Sequence, residues 1–157
     1  MRFKNIMNLK LSIIRRLLKQ GKTIQNLRNS DLRGSDLRYS NLSYSNLNGS
    51  NLRNSDLSDS NLRGSDLSDS NLNGSNLRDS DLSGSKGLKF IQISGIGSAN
   101  RQTTYLFNYD IVFCGCFKGT LVEFEEEVRK THVKNIQYLN EYLGLLKYIK
   151  KLKKIKQ

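Results

Sequence analysis

From Leu27 to Leu82, leucine stands at every fifth residue without a gap, and very little between these leucines is apolar. Serine precedes each leucine by two places from Ser30 to Ser80, Ser85 closes the run, and only the first unit departs, with Gln25 in the serine slot. The residue just before each leucine is Asn or Asp, and the two after it vary among Arg, Ser, Asn, Gly, Tyr and Asp. A period of five matches neither the 3.6 of an α-helix nor the 2 of a flat strand. The Ser/Asn-rich composition alone would suit a disordered tract, but disorder has no need to hold leucine in phase twelve times. The spacing predicts a folded repeat.

The register fails on both sides, where Lys22 and Gly87 occupy the leucine slots. Before the run, Phe3, Ile6, Met7, Leu9, Ile13, Ile14, Leu17 and Leu18 largely follow one helical face, which predicts an amphipathic helix over residues 3–19. After it, KFIQIS and TTYLFNYDIVFCGCF are rich in β-branched and aromatic residues and predict strands, with a turn at Asn108–Asp110. Thr120 and Glu123 have the spacing of a capping box ahead of TLVEFEEEVRKTH. A second helix over residues 134–155 places Ile136, Leu139, Leu143, Leu146, Ile149 and Leu152 on one stripe. The three parts are residues 1–24, a helical cap; 25–86, the repeat; and 87–157, a small α+β module ending in a Lys-rich helix.

Units such as SDLRG, SNLSY and SNLNG resemble the pentapeptide-repeat family, usually A(D/N)LXX, with serine in place of the common alanine. The resemblance covers about residues 25–85. It implies a mainly β fold, a right-handed quadrilateral β-helix with one unit per side, four per coil and about three coils. In such a coil Leu32, Leu37, Leu42, Leu47, Leu52, Leu57, Leu62, Leu67, Leu72 and Leu77 form the core, each stacking on its equivalent twenty residues on. The serines also point inward, and each hydroxyl is expected to bond a backbone group or a stacked serine, because burying it unpaired is costly. Open coil ends would expose leucines and strand edges, so caps are expected at both ends. Residues 96–132, with the run CGCFKGTL, resemble a C-terminal module that follows repeats in many bacteriophage proteins. That resemblance implies a phage or viral origin but no chemistry.

The net charge of +12 is uneven. Residues 1–24 hold seven basic and no acidic side chains, residues 25–86 seven and eight, and residues 87–157 twelve and six. An anionic partner is therefore expected at an end of the molecule. Lys147, Lys150, Lys151, Lys153 and Lys154 are the nucleic-acid candidates. No run has the length of a membrane span, and the N-terminus lacks a small-residue cleavage site, so a secretory signal is not read. Two cysteines are too few for a disulfide framework, which favours a reducing cytoplasm, that of the host cell if the gene is a phage's.

Cys114 and Cys116, two apart on an expected strand, would face one side and with His132 offer three metal ligands. A structural zinc site would need a fourth, and small buried apolar roles suit the thiols better. Arg101, Thr103 and Thr104 are equally an anion site or an ordinary polar turn. No cofactor or enzymatic activity is expected. The expectation is a non-enzymatic scaffold whose partner-binding candidates are Tyr39, Tyr44, Arg33, Arg38 and Arg53, since Tyr and Arg most often carry interface energy. The alternatives are nucleic-acid binding through the basic ends and, as the family implies for its long acidic members, mimicry of DNA toward a type II topoisomerase. Homo-oligomerisation is left open.

Overall fold

The computed structural model describes residues 12–14, 16–17, 20, 22–97 and 102–155. It divides into two compact units, Met1–Leu88 and Lys89–Gln157. Residues 12–14 and 16–17 are helical, with Ile13 exposed and Ile14 and Leu17 half-buried. The remainder of the helix expected over residues 3–19 lies outside the described residues.

In the first unit the chain rises as a β-helix. Parallel bridges join Asn26 to Asn46, Asn46 to Asp66 and Asp66 to Lys86, and the same twenty-residue stagger recurs from Asp31, Asp36 and Asn41. Four five-residue units therefore make one coil. All twelve leucines from Leu27 to Leu82 are at most 3% exposed, and the stagger sets them in columns such as Leu32/Leu52/Leu72. Each leucine N–H from Leu27 to Leu67 bonds the backbone carbonyl nineteen residues on, as in Leu52 N–H to Asn71 O at 2.8 Å.

The turn between sides is built the same way every time. The N–H of each serine bonds the carbonyl of the leucine three before it, as from Ser55 to Leu52 at 3.0 Å. The residue just before that serine has a positive φ in all twelve units, the arrangement of a type II turn. Ten of these positions are therefore Gly, Asn or Asp, the residues that tolerate a left-handed backbone. The Asn or Asp before each leucine shapes the side in another way. Its Oδ1 accepts the N–H two residues on, for example Arg28 to Asn26 at 3.2 Å and Ser83 to Asp81 at 2.9 Å. Such Asx-turns mimic a backbone turn and fix where each side bends.

The structure also accounts for serine at the small inward position. Ser55, Ser60 and Ser70 donate their hydroxyls to the leucine carbonyl three before, at 2.5–2.6 Å, and Ser75 does likewise to Leu72. Each of those carbonyls thus accepts both the N–H and the O–H of one serine. The expectation of universal pairing fails at three places. Among the described residues, the buried hydroxyl oxygens of Ser50, Ser65 and Ser85 meet no partner, and there serine carries a desolvation cost without return.

The second unit is an antiparallel sheet in the order β1-β2-β3-β4, with β1 Phe90–Ile93, β2 Thr103–Leu106, β3 Ile111–Cys114 and β4 Phe117–Gly119, followed by α1 Leu121–Thr131 and α2 Ile136–Ile155. Tyr105 pairs with Val112 across β2 and β3, and both pack with Phe124, Val128, Tyr142 and Ile149 of the helices. Thr120 caps α1 in a complete capping box, with Glu123 Oε2 accepting the Thr120 N–H at 2.7 Å. The buried stripe of α2 runs through Tyr142, Leu145, Leu146 and Ile149. Ile136, expected on that stripe, is 64% exposed at the first residue of the helix.

Asp110, in the turn after β2, ties the unit together. Its Oδ1 accepts the Tyr105 hydroxyl at 2.7 Å and Lys153 Nζ of α2 at 2.8 Å. The Lys153 bond, then that of Tyr105, holds the Asp110 carboxyl below its ordinary 3.8, and the same carboxylate raises Lys153 above 10.5. Burial, then the Asp110 bond, pushes Tyr105 up to about 12. Because the Asp110–Lys153 pair is about two-fifths exposed, Asp110→Asn is expected to cost only about 1 kcal/mol. The depressed carboxyl stabilises above 3.8 and loses this as pH falls through its folded value; the raised amine stabilises below 10.5 and loses it as pH rises through its own. Urea unfolding across pH should show a constant gap between wild type and variant near neutrality that narrows at both extremes. A gap unchanged in acid would remove this assignment.

Candidate functional site

Two of the twelve left-handed corners break the Gly/Asn/Asp rule. Tyr39 has φ 59° and Tyr44 φ 56°, a conformation that costs a residue with a Cβ roughly 1–2 kcal/mol. Both side chains are exposed, at 75% and 70%. The Tyr44 ring lies over Gly64, one coil on, so closely that a Cβ there would collide with it. Glycine at 64 thus serves both the turn and the ring. Tyr39 stands one coil before Asp59, which occupies the equivalent corner.

The arginines beside them differ among themselves. Arg33 grips Asp31 through Nε (2.8 Å) and Nη2 (2.6 Å), and Arg38 grips Asp36 at 2.9 and 3.0 Å. These forks hold the Asp31 carboxyl low and raise both guanidinium groups, though such exposed pairs add little stability. Arg53 follows Asn51 rather than an acid and has no carboxylate in ion-pair range among the described residues.

In the second unit Cys114 ends β3, but Cys116 lies in the two-residue hairpin turn to β4, not on a strand. Gly115, with φ 53°, takes the first turn position, as such tight hairpins favour. The two thiols therefore leave the backbone from different settings: Cys114 is half-buried and Cys116 exposed. Cys114 Sγ accepts the Thr103 hydroxyl at 3.1 Å and stands 3.6 Å from the Tyr142 hydroxyl, which burial and this contact push up. His132 is the C-cap of α1, and its ring stacks on Tyr142 with centroids 5.3 Å apart. Cys114, Cys116, His132 and Tyr142 line a cavity of about 250 Å³. Among the described residues no cluster of three or more His, Cys, Asp or Glu side chains is placed to hold a metal ion. Thr103 and Thr104 are buried in β2, and Arg101 lies outside the described residues.

The lysines of α2 are also divided. Lys150 is bonded to Glu125 and Lys153 to Asp110. Lys147, Lys151 and Lys154 are exposed, with no carboxylate in ion-pair range among the described residues. No described helix is long and apolar enough to cross a membrane.

Residues 25–54 and 45–84 match the family described as Pentapeptide repeats (8 copies). A pentapeptide repeat protein of Nostoc PCC 7120, alr5209, is 31% identical over 48% of this chain and 72% of its own, with a TM-score of 0.19. Through residues 25–84 the chain belongs to the pentapeptide-repeat proteins. Rfr23, a pentapeptide repeat protein from the cyanobacterium Cyanothece 51142, is 31% identical over 42% of this chain and 44% of its own, with a TM-score of 0.38. A pentapeptide repeat protein of the Arabidopsis thaliana thylakoid lumen is 29% identical over 43% and 59%, with a TM-score of 0.18. This chain thus spans less than half of Rfr23. No curated protein matches it.

Sequence reasoning singled out Tyr39 and Tyr44 as residue types but not as strained corners. The signal was present: the second position after each leucine is otherwise confined to Gly, Asn and Asp, which is the signature of a required positive φ.

Proposed function

We propose that this pentapeptide-repeat protein is a non-enzymatic binding scaffold, encoded by a phage or virus and working in the host cytoplasm. In this reading residues 25–86 form a right-handed, four-sided coil whose faces display side chains at fixed spacing, and residues 87–157 form a second module. The observation that carries it is the pair Tyr39 and Tyr44. Two large aromatic side chains stand exposed where the backbone is strained for them and where ten equivalent positions hold residues that fit. Strain kept at an exposed aromatic pair is explained by a partner that uses the rings. The phage origin rests on the resemblance of residues 96–132 alone.

Capture from host lysate by wild type and by the Tyr39→Asn/Tyr44→Asn double variant tests the reading. Asparagine suits the left-handed corner, so the variant should melt at the same temperature or higher. It should also lose the captured partner. Equal capture by both proteins, or no capture by wild type, would sink the proposal.

The basic ends favour a nucleic-acid role less, because Lys150 and Lys153 are already held by carboxylates. Mimicry of DNA toward a type II topoisomerase draws no support from a repeat body with seven basic and eight acidic side chains.

A further inference from the structure

Between α1 and α2 lies a groove of about 510 Å³ with Leu143 and Leu146 on its floor. One carboxylate, Glu125, reaches into it, and two cations already hold it: Arg129 at 2.8 Å and Lys150. The rim facing this spent acid is Lys147, Lys151 and Lys154. They are spaced i, i+4, i+7, so they form one stripe along the helix. The helix dipole explains cations in the last turn only, and Lys147 and Lys151 stand before it. A concave apolar floor beside an unanswered row of positive charge has a definite complement.

We infer that this groove docks an acidic amphipathic α-helix from a partner protein, with its leucines over the half-buried Leu143 and its carboxylates on Lys147, Lys151 and Lys154. A third helix lying along two packed helices repeats the side-chain pitch that the lysine stripe already has. A second copy of this chain is a poor complement, because among the described residues its two helices leave only Glu126 without a bonded partner. Glu123 is bound in the cap, Glu125 by Arg129 and Lys150, Glu127 by Thr131, and Glu141 by the Gly97 N–H. A nucleic-acid strand would answer the charge but leave the leucine floor uncovered. A flat lipid surface would answer neither groove nor floor.

The inference rests on reading the protein as a binding scaffold, and it concerns a different unit from the tyrosine corners. Its failure would leave the result with Tyr39 and Tyr44 untouched, and the reverse holds as well. The test uses the full chain and fluorescence anisotropy with a labelled Leu/Glu amphipathic peptide of about five helical turns. A scrambled peptide of the same composition, a single-stranded DNA oligonucleotide and anionic phospholipid vesicles serve as competitors. The amphipathic peptide should bind about tenfold more tightly than the scramble. The Lys147→Gln/Lys151→Gln/Lys154→Gln variant should weaken it by about tenfold with an unchanged circular-dichroism melt, since none of the three lysines holds a native carboxylate. Equal binding of both peptides, stronger competition by DNA or vesicles, undiminished binding by the variant, or no binding of the peptide would each overturn the inference.

Discussion

Leu52→Ala is expected to lower the unfolding free energy of the repeat unit by about 3–4 kcal/mol, at the upper side of leucine truncations. Leu52 is fully buried in the middle of the column Leu32/Leu52/Leu72. The size of the loss follows from how little the surroundings can collapse. Its N–H is fixed to Asn71 O, and its carbonyl accepts both the N–H and the hydroxyl of Ser55. The stacked neighbours Leu32 and Leu72 are themselves buried on hydrogen-bonded backbone, which limits how far they can move into the void. Urea unfolding followed by circular dichroism would give the value. A loss below about 1 kcal/mol would mean that the coil repacks and that the leucine columns are not its main support.

Gly87→Ala should be nearly as damaging, and Gly34→Ala should not. Both glycines have a positive φ, 82° and 60°, so alanine bears the left-handed penalty of about 1 kcal/mol at either. They differ in what the new methyl group meets. Around Gly34 the space is open, whereas at Gly87 a Cβ would run into the backbone of Leu67 and Ser68. Backbone fixed in a hydrogen-bonded ladder cannot swing aside as a flexible side chain can. The ladder here is closed by Leu67 N–H to Lys86 O at 2.9 Å and by the bridge between Asp66 and Lys86. Gly87→Ala is therefore expected to cost about 3 kcal/mol, combining strain with overpacking. Thermal melts of the two variants side by side provide the check. Equal melting temperatures would show that the close approach at Gly87 is unimportant.

The comparison of corners bears on function as well as on stability. Most corners carry the residue that the backbone wants, and so report nothing about partners. Tyr39 and Tyr44 do not, and the protein retains them largely exposed, the Tyr44 ring resting against Gly64. The lysine stripe of α2 gives the same kind of signal in another form, charge left unanswered beside neighbours whose charge is answered. Both are local departures from a rule that the remaining residues obey.

Much of the first unit was legible in the sequence because its rule is short-range and repeated. A leucine every five residues and a serine two places before it give the inward side chain and the small inward residue. Each pentapeptide makes these choices within itself, so no distant contact is needed to read them. The second unit is different in kind. Its strands and the capping box at Thr120 are local signals and could be read. That Cys116 turns out of the sheet, that Ile136 stays in solvent and that Lys150 and Lys153 are claimed by Glu125 and Asp110 could not. Those outcomes depend on which elements meet across 25 and 43 residues of chain. The sequence by itself determined the repeat and its inward positions, because backbone propensity and burial pattern act within five residues. Only the tertiary structure decided which charges and aromatics remain for a partner, because pairing and shielding are properties of packed neighbours.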